Sequence, residues 1–130
     1  ILDPEDARLA IEHGADGIGV STHGGRQVDG SISAIEALPS VAEEVDGEVP
    51  ITLDSGVRRA SDAFKAIGLG ADAVLLGRPY AYALAAGGAE GVETYLRNFV
   101  AEFDLTMGLS GCRSVDEITQ DHLRHESELY

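Results

Sequence analysis

A seven-residue pattern that occurs twice constrains the fold of this chain more than any other feature. An Ala-Ile pair is followed, after two residues, by Gly-Ala-Asp, once at positions 10–16 and again at positions 66–72. Each copy closes a predicted helix at its glycine and leads into a short apolar segment typical of a buried strand. Repeated helix-to-strand corners indicate repeated αβ units, which build a parallel sheet with right-handed crossovers.

Three predicted strands alternate with helices along the chain. The first helix has Asp3 as its N-cap and Pro4 at its first position, and Gly14 ends it. Pro39 is expected to break or restart the second helix, because proline lacks the amide hydrogen that an interior helix position needs. Strands are predicted at residues 17–21, 49–53 and 73–76, and helices at 4–13, 33–45, 61–69 and 80–109, the last interrupted at Gly87-Gly88.

The C-terminal residues predict a short helix followed by a charged tail. Ser114 and Glu117 have the spacing of a capping box, which places a short helix at about residues 114–119. The charged segment from Asp121 is expected to fray. The predicted boundaries are residues 1–120 for the globular part and 121–130 for the tail.

Three strands and their helices are too few to close a sheet of this kind. A complete (β/α)8 barrel typically takes about 250 residues, and this chain has enough units for its last three strands. The predicted fold class is therefore α/β, with the chain forming about the last three βα units of a TIM barrel. We expect six apolar strand side chains to face the barrel interior, where they would lack the strands that close the barrel on its far side. They are Ile18, Val20, Ile51, Leu53, Val74 and Leu76.

Charge and composition exclude several kinds of partner and site. The net charge of −14, from 23 acidic and 9 basic side chains, disfavours binding to nucleic acid or to an anionic membrane surface. The acidic residues are interpreted as solvated faces, with adaptation to high salt as the alternative. No apolar run approaches the roughly 20 residues of a membrane helix, and a single cysteine predicts a reducing, cytoplasmic setting. No metal site is predicted, because His13, His122 and His125 lack cysteines or carboxylates at ligand spacing.

A glycine-rich loop that follows the first predicted strand carries a histidine and an arginine. Its sequence is Ser21-Thr22-His23-Gly24-Gly25-Arg26-Gln27, in which the paired glycines allow a sharp turn. A histidine that titrates near neutrality accepts a proton, and an arginine binds a carboxylate through two charge-assisted hydrogen bonds. The loop therefore suits a small acid that loses a proton. The alternative is that His23 and Arg26 only cap backbone groups.

Two further loops after strands pair glycine with arginine. These loops are Asp54-Ser55-Gly56-Val57-Arg58-Arg59 and Gly77-Arg78-Pro79. Glycine permits close backbone approach, and the helix that follows each loop directs amide hydrogens toward an anion. Either loop alone is equally typical of an ordinary surface turn. Together, at matching strand ends where (β/α)8 barrels commonly bind phosphate, they predict one shared phosphate site.

These motifs, in this order and spacing, resemble the FMN-dependent α-hydroxy-acid dehydrogenases, which include glycolate oxidase, lactate oxidase and lactate 2-monooxygenase. The resemblance extends over nearly the whole chain, including Ala86-Gly87-Gly88 and Leu109-Ser110-Gly111-Cys112. It implies that His23 is the active-site base and that Arg26 binds the substrate carboxylate. It also implies FMN contacts at Ser21, Asp54, Ser55, Gly56, Val57, Arg58, Gly77 and Arg78.

The chain departs from the family pattern in several places. Thr22 stands where the family usually has Asn, and Ser55 stands where it often has Gly, as in the lactate monooxygenase branch. The family's flavin-contacting lysine, its active-site tyrosines and the aspartate that pairs with the histidine have no match here. The tyrosines of this chain lie in other regions: Tyr80, Tyr82, Tyr95 and Tyr130.

The implied activity is oxidation of a lactate- or glycolate-like L-2-hydroxy acid to the 2-oxo acid. The resemblance implies FMN as cofactor, O2 as electron acceptor and a homo-oligomeric full-length form. One alternative is another phosphate-binding barrel such as type 2 isopentenyl-diphosphate isomerase, which has no need of the His-Gly-Gly-Arg motif. A second is an inactive fragment or split subunit that needs a partner half-barrel.

Overall fold

A computed structural model describes residues 1–128. It contains a three-stranded parallel sheet in the order β1-β2-β3, with helices between the strands. Tyr130, one of the tyrosines set aside above, lies outside the described residues. The elements are α1 (Pro4–Glu12), β1 (Ile18–Val20), α2 (Ala34–Val45), β2 (Ile51–Leu53), α3 (Ala60–Gly68), β3 (Ala73–Val74) and α4 (Arg78–Leu109), with short 3-10 turns at His23–Gly25, Val115–Glu117, Gln120–His122 and Glu126–Glu128.

Helix α1 begins as its sequence predicts, but helix α2 does not break at its proline. Asp3 accepts a hydrogen bond from the backbone amide of Glu5 at 2.9 Å, with Pro4 in the first turn. Helix α2 runs through Pro39 without interruption, so the predicted break is wrong. Pro39 lies on the exposed face, where the carbonyl that loses its partner can bond to water. The buried side chains Leu38 and Val41 hold the helix against the sheet.

The apolar strand side chains face the helices and not the barrel interior, which corrects the prediction. Ile18, Val20, Ile51 and Leu53 are at most 4% exposed, in one cluster with residues of all four helices. Val74 and Leu76 pack against the same cluster. The sequence contains only the alternation of side chains along a strand, and alternation does not indicate which face the helices cover.

The opposite face of the sheet consists mostly of small side chains. The register pairs Gly19 with Thr52 and Thr52 with Ala73, which places these three residues in one row across the sheet. Gly19 and Ala73 are exposed, and Leu75 farther along the chain is 51% exposed. A sheet covered by helices on one face only is the arrangement of an arc cut from a (β/α)8 barrel.

The last helix is broken in two, as its paired glycines predict. Gly87 and Gly88 have non-helical backbone angles, and beyond them Phe99 and Phe103 pack against the core. Across all of α4 no residue is buried, and Val100, for example, is 67% exposed. This helix therefore presents an apolar surface that the described residues leave uncovered.

The C-terminal turns differ from their prediction. The carboxylate of Glu117 accepts the backbone amide of Arg113 at 2.9 Å, and Ser114 makes no side-chain cap, so the predicted capping box is wrong. That amide and the Arg113 guanidinium lower the pKa of Glu117 below its ordinary value. The segment from Asp121 is not simply frayed, because Leu123 packs against the cluster of Phe64 and other apolar residues. The boundary at residue 120 stays a prediction. Within the described part of the chain, no helix combines the length and the apolar character needed to cross a bilayer.

Candidate active site

Three loops leave the carboxyl ends of β1, β2 and β3 and meet around an open cleft of about 490 Å³. The parallel register brings these strand ends to one edge of the sheet. Ser21 does not line the cleft but contacts Asp54 beside it. The other nine residues predicted for the site all line it, namely His23, Arg26, Asp54, Ser55, Gly56, Val57, Arg58, Gly77 and Arg78.

The loop after β1 folds into a tight left-handed turn around the histidine. His23, Gly24 and Gly25 have successive φ angles of 54°, 66° and 74°, a region that glycine enters freely and histidine enters at a cost. Thr22 closes the turn, because its hydroxyl accepts the amide of Gly25 at 3.3 Å. This is a role for the threonine that replaces the family's usual asparagine. The turn leaves His23 and Arg26 exposed at the cleft.

Two serine hydroxyls and one carboxylate join the first loop to the second. Ser21 donates to Asp54 Oδ1 at 2.6 Å, and Ser55 donates to the same oxygen at 2.5 Å. Ser21 also accepts the amide of His23 at 3.0 Å, while Ser55 accepts the amide of Thr22 at 3.1 Å. The expected histidine loop and phosphate loop therefore form one hydrogen-bonded unit.

Two residues that were not predicted for the site, Asp62 and Tyr95, support the loop after β2. Asp62 accepts the backbone amides of Arg58 and Arg59 at 2.9 and 3.0 Å, which caps the start of α3. Tyr95, from α4, donates its hydroxyl to the carbonyl of Arg58 at 3.3 Å. Partial burial, followed by the charges of Glu102 and Asp62, raises the pKa of Tyr95. Asp62 stands three residues after the N-cap Arg59, which is the spacing of a capping box, but arginine is not one of the residues that signal an N-cap in a sequence.

The loop after β3 contacts the loop after β1. The guanidinium of Arg78 donates to the carbonyl of Gly24. A Cβ atom at Gly24 would lie 2.7 Å from Arg78 Nη2, so the arginine occupies the space that a side chain there would need. Gly24 therefore permits close approach as well as the turn, and only the folded chain reveals that second reason.

The cleft concentrates positive charge in a strongly acidic chain. Arg26, Arg58 and Arg78 line it, and within residues 1–128 none of the three forms an ion pair. In the same part of the chain, the amides of Gly56 and Gly77 find no hydrogen-bond partner. Unpaired guanidinium and amide donors around an open cleft suit an anionic ligand with several oxygens. No group of three or more His, Cys, Asp or Glu side chains that could hold a metal ion is found among the described residues.

Residues 1–125 match the family described as FMN-dependent dehydrogenase. The chain belongs to this family. It is 52% identical over 128 residues to the peroxisomal (S)-2-hydroxyacid oxidase GLO3 of Arabidopsis thaliana, covering 98% of this chain and 35% of that protein. It is 50% identical over 124 residues to the L-lactate oxidase of Lactobacillus jensenii, covering 95% of this chain and 30% of that protein.

A solved structure supports the same relationship in three dimensions. The putative lactate oxidase of Pediococcus acidilactici superposes with a TM-score of 0.89 at 47% identity, covering 92% of this chain and 33% of that one. The predicted α/β barrel portion and the predicted FMN-dependent family are therefore confirmed. This FMN-dependent dehydrogenase chain spans about a third of the length of the relatives it matches.

Proposed function

We propose that this chain supplies the base, the carboxylate anchor and the cofactor-phosphate site of an enzyme that oxidises an L-2-hydroxy acid to the 2-oxo acid. The observation that carries the proposal is the meeting of His23 and Arg26, from the loop after β1, with Arg78, from the loop after β3, in one cleft. The relatives named as (S)-2-hydroxyacid oxidase and L-lactate oxidase support oxidation over the isomerase chemistry considered above.

His23 accepts a proton from the substrate, and Arg26 binds its carboxylate through the guanidinium fork. Both side chains come from one short loop at the cleft, so a small acid held by Arg26 lies close to His23. Neither side chain donates to or accepts from another group among the described residues, so both are available to a ligand.

FMN, when bound, supplies the acceptor for the two electrons that the substrate loses. The guanidinium groups of Arg58 and Arg78, neither of which forms an ion pair among the described residues, suit its phosphate dianion. The unpartnered amides of Gly56 and Gly77 add neutral donors that approach closely because glycine has no side chain. The residues proposed to contact the cofactor are Ser21, Asp54, Gly56, Val57, Arg58, Gly77 and Arg78. Ser55 lines the same cleft, but its hydroxyl bonds within the chain.

The substrate is a lactate- or glycolate-like acid, and Ser55 favours a lactate 2-monooxygenase-like branch. Molecular oxygen is the proposed electron acceptor, which agrees with relatives named as oxidases. A homo-oligomeric full-length form and a cytoplasmic location stay predictions, and one relative is named as peroxisomal.

The test is anaerobic reduction of the flavin in a complete enzyme that contains this segment. L-lactate or glycolate should bleach the flavin absorbance stoichiometrically, and D-lactate is the matched control for the stereochemistry of the acid. A flavin-loaded enzyme that none of several L-2-hydroxy acids reduces would contradict the proposal.

A second candidate is that the 130-residue chain acts only together with a polypeptide that supplies the rest of the barrel. The exposed face of the sheet, with Gly19 and Ala73, favours this candidate, because in a closed barrel that face is covered. Copurification of a polypeptide carrying the first five strands would support it. An active, monodisperse 130-residue chain would contradict it.

A further inference from the structure

Ser55 stands in a backbone conformation that a glycine would adopt more easily. Its φ angle is +71°, and among residues 1–128 only His23 and Asp46 share a positive φ without being glycine. A serine in the left-handed region destabilises the fold relative to glycine, because its Cβ crowds the backbone. The hydroxyl is what serine adds at this position, so its contacts indicate what the residue does.

The hydrogen-bonding capacity of the Ser55 hydroxyl is fully used within the chain. It accepts the backbone amides of Thr22 at 3.1 Å and of Gly24 at 2.9 Å, and it donates to Asp54 Oδ1 at 2.5 Å. A hydroxyl has one hydrogen to donate and two lone pairs to accept with. The Ser55 side chain therefore has no donor or acceptor left for a cofactor, although its sequence position predicts a cofactor contact.

The two amides that Ser55 holds lie on either side of His23. The amide of His23 itself is held by Ser21, whose hydroxyl also donates to Asp54 Oδ1. Since both hydroxyl hydrogens point to one carboxylate oxygen, both serine oxygens face the loop as acceptors. Three consecutive amides are thus fixed by one carboxylate and two hydroxyls, and the histidine between them keeps its left-handed φ of 54°.

We infer that Ser55 is a positioning residue for His23, acting through the amides of Thr22 and Gly24 to set where the imidazole stands in the cleft. The inference rests on the proposed function, in which His23 is the base. The guanidinium of Arg26 makes none of these hydrogen bonds, so we expect loss of the Ser55 hydroxyl to affect the position of His23 more than the binding of the substrate carboxylate.

The test uses the complete flavin-loaded enzyme and two variants that remove the hydroxyl in different backbone contexts. Ser55→Gly relieves the strain of the positive φ angle, whereas Ser55→Ala keeps it. A defect that both variants share is therefore caused by loss of the hydroxyl. Ser40→Ala is the matched control, because it also removes a serine hydroxyl. In helix α2 that hydroxyl donates to the carbonyl of Ala37.

Both Ser55 variants should slow flavin reduction by a 2-hydroxy acid at least tenfold, with KM and the FMN dissociation constant changed less than about threefold. Amide hydrogen exchange over residues 21–26 should be faster in both variants and unchanged in Ser40→Ala. Reduction within twofold of wild type in both variants would overturn the inference, and so would a loss of FMN that accounts for the lost reduction. A wild-type enzyme that no 2-hydroxy acid reduces would instead reject the proposed function, and the exchange rates would then decide the role of Ser55.

Discussion

The arginines of the cleft differ in whether their guanidinium groups already form a hydrogen bond within the chain. Arg78 donates to the carbonyl of Gly24, whereas the guanidinium groups of Arg26 and Arg58 have no hydrogen-bond acceptor among the described residues. A guanidinium with no internal partner keeps its donors for a ligand. The same side-chain chemistry thus has different tasks at different positions, and substitutions at each arginine should have different effects.

Replacing the proposed base should separate cofactor binding from chemistry. His23→Ala in the complete enzyme should retain FMN but slow flavin reduction by about 10²–10⁴-fold, the usual contribution of a general base. Stopped-flow absorbance without oxygen measures the reduction rate, and the flavin content of the purified protein is the control. A variant that reduces at nearly the wild-type rate would reject His23 as the base.

Replacing the proposed anchor by another cation should not preserve its function. Arg26→Lys keeps the positive charge but loses the planar fork, so we expect KM to rise roughly tenfold and reduction to slow as well. Steady-state kinetics over a range of substrate concentrations give both quantities. Unchanged kinetics would show that the carboxylate binds elsewhere.

The phosphate contact of Arg78 can be isolated by comparing two flavins. Arg78→Ala should raise the dissociation constant of FMN by at least about tenfold and that of riboflavin, which has no phosphate, much less. The lost contact with the carbonyl of Gly24 affects both flavins alike, so the difference between them reports the phosphate. Fluorescence titration of the apoenzyme measures both constants, and equal losses would argue against the contact.

Among the secondary-structure elements, helix α2 shows how packing overrides a local signal. Its N-terminus is defined by a capping box, in which Ser33 accepts the amide of Glu36 and the Glu36 carboxylate accepts the amide of Ser33. The hydrogen bonds from Ser33 lower the pKa of Glu36. With its start defined and its inner face buried, the helix passes through Pro39.

Removing this proline should stabilise the fold without affecting the cleft. Pro39→Ala restores an amide hydrogen inside α2, and we expect the free energy of unfolding to rise by roughly 1–3 kcal/mol. Thermal unfolding of the complete enzyme measures the change, and flavin reduction should stay at the wild-type rate. Ser40→Ala, at the neighbouring position, is the control, and a lower melting temperature for Pro39→Ala would contradict the expectation.

For the molecule as a whole, the 130-residue chain alone should not turn over a 2-hydroxy acid. Because Ile18 and Leu53 pack under the helices, the chain keeps a core of its own. Within the described residues, no strand nevertheless pairs with the outer edges of β1 and β3, where only the amino group of Ile1 reaches the carbonyl of Gly19, and α4 exposes apolar side chains such as Val100. The isolated chain is therefore expected to associate or to unfold in part.

The purified chain mixed with FMN and L-lactate or glycolate should leave the flavin oxidised in the absence of oxygen. The complete enzyme under the same conditions is the positive control. Size-exclusion chromatography should show association of the isolated chain. Stoichiometric bleaching by a monomer would show that this part of the barrel is sufficient for the reaction.

The sequence alone determined the order of the elements, the family and the residues that gather at the cleft. Glycine turns, caps and apolar runs act over a few residues, and loops that follow parallel strands must meet at one edge. Only the tertiary structure decided which face of the sheet the helices cover and that α2 continues through Pro39. The same structure decided that the Glu117 carboxylate accepts the backbone amide of Arg113 and forms no capping box with Ser114. It also decided that Ser55 holds the backbone around His23, because such a contact joins groups that are distant in sequence and adjacent only in the folded chain.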